Sequence, residues 1–373
     1  MMEYVNLGDV ATYINGYAFK PEQRGKKGLP IIRIQDLNGN SHDLGFFDGE
    51  YPKQVEINAG DILISWSGSL GVYKWNKGKA LLNQHIFKVL FNKIKIDKEY
   101  FCYAVKNSLS VMSQQSHGAT MKHITKKDFD KVLIPYPSLN TQRKIAQKLN
   151  IVTELIVFYE TELSLMEQLI KARFVEMFGD PATPGDKFKT CKLGEVADVK
   201  SSHRVFSTEF VNEGVPFYRG TEISVLASGQ QPKDPYRISM DHYLKIANDD
   251  SKPIRGDLLL PSICNKGQVW MVNTDEPFYY KDGRVLCISP HRSIFDSRYL
   301  QFYMKMRTEA EYPKLGSGST FAEFKIFQLK ELLVDMPPMN AQKSFCLFAD
   351  QVDKSRFDIK KSIIELEREV VYD

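Results

Sequence analysis

The densest group of side chains able to contact a ligand is His117-Gly118-Ala119-Thr120-Met121-Lys122-His123, followed by Lys126 and Lys127. Imidazole, hydroxyl and ammonium groups on one glycine-containing segment suit hydrogen bonding to base edges and phosphate oxygens. The glycine lets the backbone approach an anion closely. The contacts expected here are His117, Gly118, Thr120, Lys122, His123 and Lys126. A second segment of this kind is Gly316-Ser317-Gly318-Ser319-Thr320, with Lys325 nearby. There Ser317, Ser319, Thr320 and Lys325 are the candidates. An ordinary glycine- and serine-rich turn explains the same residues without a ligand.

A further pair of segments carries similar chemistry. Ser65-Trp66-Ser67-Gly68-Ser69 precedes Tyr73 and Lys74, and its counterpart holds Asn265, Lys266, Gln268 and Trp270. Ser65, Ser67, Ser69, Lys74, Asn265, Lys266 and Gln268 are the candidate contacts. For Trp66 and Trp270 a place in the core is the favoured reading. Arg33 and Arg219 recur at equivalent strand ends, where two readings stand. They touch phosphate, or they pair with Asp36 and Glu222.

No reaction chemistry accompanies these groups. The G-x-x-x-x-G-K-[ST] phosphate loop is absent. Met336-Pro337-Pro338-Met339 shares only its prolines with the N/D-P-P-[FY] pattern of amino-methyltransferases and lacks the aromatic that would stack on a flipped base. It reads as the entry to a helix. The seven histidines have no ligand spacing, and the five cysteines (Cys102, Cys191, Cys264, Cys287, Cys346) form no C-x-x-C pair. Buried reduced thiols are expected, with no metal and no cofactor.

Composition permits a nucleic-acid role without arguing for it. The chain has 373 residues and a net charge of +4. Residues 1–178 hold 23 Lys/Arg against 18 Asp/Glu, and residues 179–373 hold 27 against 28. The length allows two or three domains with real cores. No apolar run is long enough to span a bilayer, and Met1–Val5 lacks the regions of a signal peptide, so a cytoplasmic location is expected.

What positions the candidate residues is an internal repeat. Leu7-Gly8-Asp9-Val10-Ala11 matches Leu193-Gly194-Glu195-Val196-Ala197, and Pro30-Ile31-Ile32-Arg33 matches Pro216-Phe217-Tyr218-Arg219, both at an offset of 186. Gly60-Asp61-Ile62-Leu63-Ile64 matches Gly256-Asp257-Leu258-Leu259-Leu260 at 196. Gly118-Ala119-Thr120 matches Gly318-Ser319-Thr320 at 200, as do Pro137, Asn140 and Gln142 with Pro337, Asn340 and Gln342. The second copy has therefore gained 14 residues. The shared positions are glycines, prolines and apolar strand residues, which are scaffold types, while the segments between them differ. Each copy reads as strand-rich α+β, with strands near Ile31–Ile34, Ile62–Ile64, Ile86–Phe91 and Val132–Ile134 in the first. A helix falls late in each, near Tyr100–Met112 and Tyr299–Glu309.

A long helix follows each copy. Asn140 and Asn340 are N-cap candidates, and Gly179 with Pro181 ends the first helix. Ile145, Leu149, Val152, Ile156, Tyr159, Leu163, Met166 and Ile170 alternate spacings of four and three. Phe345, Ala349, Val352, Arg356, Ile359, Ile363, Leu366 and Val370 repeat them at offset 200. Such heptads predict a coiled-coil seam. An antiparallel pair is expected. The first helix is about 57 Å long, and the 12 residues between Phe178 and Cys191 reach at most roughly 40 Å. Separate packing of each helix on its own domain is the alternative.

The order of these motifs resembles the DNA specificity subunits of type I restriction-modification systems. Leu7-Gly8-Asp9-Val10, Gly60-Asp61-Ile62-Leu63-Ile64-Ser65, Asn83-Gln84-His85 and Gly118-Ala119-Thr120-Met121 are similar to the frame of their target-recognition domains. Gln142-Arg143-Lys144-Ile145 and Arg173-Phe174-Val175-Glu176-Met177-Phe178-Gly179-Asp180-Pro181 are similar to their helical region. The likeness covers nearly the whole chain. Copy two departs at Pro261, where copy one has Ser65, and at Lys281–Gly283, where the Asn-Gln-His motif is lost.

The resemblance implies an α+β fold with two homologous target-recognition domains, 1–139 and, with a linker, 179–339. Two long antiparallel coiled-coil helices, 140–178 and 340–373, would relate them by a pseudo-twofold. It implies a non-catalytic reader of a bipartite, asymmetric site in double-stranded DNA, with the helices setting the gap. Two modification subunits, and optionally restriction subunits, would be its partners and would hold S-adenosylmethionine and ATP. The competing expectation is a duplicated coiled-coil interaction scaffold with no role in DNA binding.

Overall fold

The computed structural model describes residues 3–40, 43–115, 125–315 and 322–372. The chain divides into two compact units, 1–159 with 362–373, and 160–361.

In the first unit, alternating apolar residues build two four-stranded sheets. One has the order Thr12–Asn15, Ile86–Leu90, Ile62–Ser65, Gly71–Lys74, with every pair antiparallel. The other has the order Phe46–Phe47, Leu29–Ile32, Ala80–Leu82, Glu56–Ile57, and its Leu29–Ile32 and Ala80–Leu82 strands are parallel. A ribbon of Tyr4–Asn6 and Leu133–Pro135 closes the copy. The core under the first sheet joins Leu7, Tyr13, Ile64 and Phe87 to Phe101 and Val105 of the helix Lys98–Gln115, and to Ala146 of the first long helix.

The second unit repeats this plan. Ala197–Lys200, Val285–Pro290, Leu258–Pro261 and Trp270–Met271 form the counterpart of the first sheet, in the same order. The ribbon recurs as Thr190–Lys192 with Leu333–Asp335. The other sheet differs. Val215–Tyr218 keeps its parallel partner, Tyr279–Tyr280, but on its other side Tyr236–Ile238 stands where copy one has Phe46–Phe47, with Phe210–Val211 beyond it at the edge. The extra residues of this copy also supply the helices Gly220–Ala227 and Met240–Ile246; at the first of these places copy one has only Ile34–Leu37.

The two long helices run Leu139–Phe178 and Met339–Tyr372. Each starts earlier than the expected cap. Ser138 rather than Asn140 caps the first, its Oγ accepting the Thr141 N–H at 3.3 Å. In the second, Asn340 lies inside the helix and its side chain accepts the Ala341 N–H at 2.9 Å. Gly179, at φ +87°, ends the first helix in the left-handed conformation that a β-carbon disfavours.

The seam residues are the more buried side of both helices. Leu149, Val152 and Ile170 are buried, and Ile145, Ile156, Leu163, Val352, Ile359, Ile363 and Leu366 are half-buried. Within the second unit the helices run antiparallel. The Phe174 ring meets Phe345 edge-on at 5.0 Å, while Glu167, a lower number, lies 4.0 Å from Arg356, a higher one. Phe174, Phe178 and Phe345 are sealed into the unit's largest core with Tyr299 and Tyr303. Burying each contributes about 1.5–3 kcal/mol. Arg356, the charged residue on the seam, bonds Asp353 at 3.0 Å.

Candidate nucleic-acid interface

At one end of the first unit's all-antiparallel sheet, two loops meet. Strand Ile62–Ser65 leads into one, and the other precedes Ile86. Ser65 is fully buried, and its hydroxyl donates to the Ser69 carbonyl at 2.5 Å. Ser67 is buried as well. These two serines build the turn and do not present hydroxyls to a ligand, because both fold inward beneath the exposed Gly68–Ser69 corner. Ser69 is exposed. Trp66 is half-buried: it stacks on Phe87 at 5.6 Å and its indole N–H donates to Asn15 Oδ1 at 3.2 Å. Trp270 is a core residue.

The neighbouring loop supplies further groups. The Trp66 N–H donates to the His85 carbonyl at 3.2 Å, and their rings lie 4.9 Å apart. His85 has φ +72°, an uncommon conformation for a residue with a side chain, and one associated with functional loops. Gln84, beside it, is exposed, and its N–H donates to the carbonyl of exposed Tyr17 at 3.0 Å. His85 thus lies against Trp66, Gln84 against Tyr17, and the turn from Trp66 to Ser69 completes one rim. The Asn83-Gln84-His85 tripeptide was visible in the sequence, but nothing there showed its backbone or its neighbours.

Lys74 lies elsewhere. The register pairs Ser65 with Gly71 and Ile62 with Lys74, which puts Lys74 at the far end of the strand pair. Its ammonium is held by Glu99, whose hydrogen bond raises it above the ordinary lysine range. Lys126 opens the short helix Lys126–Asp130 and pairs with Asp130 at 2.7 Å. His117, Gly118, Thr120, Lys122 and His123 lie outside the described residues, as do Ser317, Ser319 and Thr320.

The second unit builds the same rim from different residues. The Ser262 N–H donates to the Arg284 carbonyl at 2.9 Å, as Trp66 does to His85. The Phe324 N–H donates to the Ser262 carbonyl at 2.8 Å, which brings the stretch 322–325 alongside this turn. Arg284 and Lys325 both reach Glu323, the lysine at 3.1 Å. Arg204 pairs with Asp282 at 3.5 Å. This rim therefore carries ion pairs, three cations on two carboxylates, where the first is aromatic and amide-bearing.

Asn265, Lys266 and Gln268 are not gathered with Lys325. They form a self-contained turn, in which Gln268 donates to Asn265 Oδ1 at 3.1 Å and accepts the Lys266 N–H at 3.0 Å. Gly267, at φ +62°, seals the turn against the helix Ser297–Glu311. A β-carbon there would lie 2.4 Å from the Lys305 carbonyl oxygen.

The paired arginines resolve as structural. Arg33 Nε lies 3.1 Å from Asp36, and Arg219 Nη2 lies 2.7 Å from Glu222. Each acid also accepts its arginine's backbone N–H at 2.8 Å, capping the helix that follows. Burial would raise the Glu222 carboxyl, but the hydrogen bonds from Arg219 outweigh it and hold the group below the ordinary glutamate value.

Among the described residues no cluster of three His, Cys, Asp or Glu is placed to hold a metal, and no helix is long and apolar enough to cross a membrane. The five cysteines are free; Cys264, Cys287 and Cys346 are buried, and Cys102 and Cys191 half-buried. Burial pushes the Cys264 thiol up to about 11 and Cys287 up to about 12. Such thiols are poor nucleophiles.

The family model described as the type I restriction modification DNA specificity domain matches twice, over residues 1–167 and 185–368. The chain is 24% identical over 388 residues to the type I restriction enzyme EcoBI specificity subunit of Escherichia coli, covering 96% of this chain and 81% of that one. It is 24% identical over 376 residues to the MjaVIII specificity subunit of Methanocaldococcus jannaschii, covering 94% and 86%. Among solved structures, it is similar to the type I restriction-modification S subunit from M. genitalium, with a TM-score of 0.52 at 15% identity, covering 99% and 94%. A chain from a study of assembly and conformational transition in the type I system gives 0.59 at 18%, with the same coverage.

Proposed function

Since the chain belongs to the family of type I restriction-modification DNA specificity subunits, we propose that its two copies read the two halves of one bipartite, asymmetric site in double-stranded DNA. One observation carries this reading. The copies share one sheet strand for strand, with the closing ribbon, yet their equivalent rims differ, with Trp66, Gln84 and His85 in one and Arg284 and Lys325 in the other. A conserved frame with divergent rims is what two readers of unlike sequences require, since base edges are told apart by donor and acceptor pattern. Ser69, Gln84 and His85, then Arg284 and Lys325, are the contacts assigned among the described residues. The loop groups from His117 to Lys126 and from Ser317 to Thr320 extend them.

The chain itself transfers no methyl group and cuts no DNA. That chemistry, with its cofactors, belongs to partner subunits: two modification subunits, and restriction subunits where these are present. The long helices set the gap between half-sites and dock the modification subunits. Their outer faces support docking. Ile151 and Phe158 are exposed in the first unit, and Leu165, Leu169, Leu347 and Phe357 in the second, Phe357 by 69%. Apolar side chains in such number on a solvent face mark an interaction surface.

The test is co-purification with a modification subunit, followed by mapping of methylated adenines across host DNA. One split, asymmetric motif is the expected result. A continuous or palindromic motif, or methylation by this chain with S-adenosylmethionine alone, would overturn the reading. DNA affinity should also fall steeply with salt, because phosphate contacts release counterions. Salt-insensitive binding would favour an interaction scaffold instead.

A further inference from the structure

The second unit contains a cavity of about 510 Å³, within the size range of small-molecule sites. Its floor is apolar: Ile170 and Phe174 from the first long helix, with Phe302 and Met306 from the helix Ser297–Glu311. Ser224, Ala227 and Ser228 form another wall, and the Lys266–Gln268 turn forms the lip. That wall belongs to the helix Gly220–Ala227 and its end, in the stretch where copy two has grown longer than copy one. The cavity thus joins a floor from the shared scaffold to a wall from the longer stretch of copy two.

The charges around it are unbalanced. Lys171, Lys266, Lys305 and Arg356 line it against Glu167 and Glu309. Glu167 is already engaged by Arg356 at 4.0 Å, and nearby Asp353 by Arg298 and Arg356. Lys305 is the half-buried one of the three lysines, and among the described residues no carboxylate pairs with its amine. It lies 6.0 Å from the centre of the Phe302 ring. Its counterpart in copy one, aligned through the equivalent Asp97 and Asp296 helix starts, is Lys106, which is exposed to solvent. The equivalent lysine is thus half-buried and, among the described residues, unpaired with a carboxylate in copy two, and solvent-exposed in copy one.

We propose that this cavity binds a small amphipathic anion, with Lys305 seating its acidic group and Phe302, Phe174 and Met306 holding an apolar body of about one or two rings. Carboxylates, phosphates and sulfonates share the required chemistry. Burial draws the Lys305 amine below the ordinary lysine value, a shift that a bound anion opposes. Lys171 and Lys266, both exposed, attract the ligand to the mouth.

The experiment is calorimetric titration of the full chain with 1-naphthalenesulfonate, with inorganic sulfate and 2-naphthol run separately. One saturable site is expected for the sulfonate, with either fragment alone about tenfold weaker or worse. Lys305→Met keeps an unbranched stem and removes the ammonium; it should weaken binding by about tenfold or more, with thermal unfolding unchanged. Lys305→Arg should retain binding within about threefold, and Lys106→Met should change nothing. If Lys305→Met does not fold, Lys305→Gln takes its place. The proposal is overturned if the sulfonate shows no saturable site, if sulfate alone binds equally well, or if loss of the Lys305 charge leaves affinity within about twofold.

Discussion

The Gln142 side-chain oxygen accepts the backbone N–H of Asp97 at 2.9 Å. Gln342 does the same for Asp296, at the same distance. Both glutamines are fully buried, and both amides donate onward, Gln142 to the Pro137 carbonyl and Gln342 to those of Pro337 and Ile294. Each pair ties the start of a long helix to the start of the late helix in its own copy. Replacing either glutamine by leucine strands buried donors and acceptors, at a cost of about 1–3 kcal/mol. Thermal unfolding should show a loss of several degrees for Gln142→Leu and Gln342→Leu, and almost none for exposed Lys144→Ala. Equal stability in all three variants would refute the clamp.

Acid should act on the second copy through Glu222. Its carboxyl is lower in the folded chain than in the unfolded one, so its stabilisation is present above the unfolded value. That contribution is lost as pH falls through the lower, folded value. The stability gap between the parent and Glu222→Gln, about 1–2 kcal/mol at neutral pH, should therefore close as pH drops below the ordinary glutamate range. A gap that stayed constant into acid would mean that charge plays no part in the cap.

Exchange of residues 1–139 for the equivalent part of another family member tests whether the readers are separate. The mapped motif should change in one half and keep the other half. Alteration of both halves, or of neither, counts against independent readers.

Whole heptads inserted in register into both long helices would keep the apolar seam. Seven residues add about 10 Å of rise, or roughly three base pairs at 3.4 Å per step. The same half-sites should be methylated across a longer gap. An unchanged gap in an active complex would place the ruler in the partner subunits.

Leu163→Glu should act differently from an insertion. Leu163 is half-buried on the seam, so a carboxylate there loosens the helix pair. Co-purification with the modification subunit should fall while the methylated motif stays the same. A changed motif would tie the seam to base reading.

The repeat, the strands and the long helices were legible because their signals are read along the chain: glycines and prolines at turns, and apolar residues in short runs or at a period of 3.5. Gln142 and Gln342 appeared in the sequence as a matching pair, but only the fold showed them reaching Asp97 and Asp296. Ser65 and Ser67 looked like exposed donors because a polar turn and a buried one have the same composition. Lys74 looked available because Glu99 lies 25 positions away. The cavity around Lys305 was illegible, since its walls come from five separate stretches that only the fold assembles.

The exposed apolar side chains of the long helices have a further consequence. On the first helix Ile151, Leu155, Phe158, Leu165 and Leu169 each precede a seam position or continue its phase, which gives that helix a second ridge. On the second helix, the positions preceding the seam residues are mostly polar, among them Gln351, Ser355, Asp358 and Glu365. If the ridge docks the modification subunits as proposed above, a chain made without them keeps about five large apolar side chains in water, and the free subunit should self-associate or be cleared where the assembled one is not.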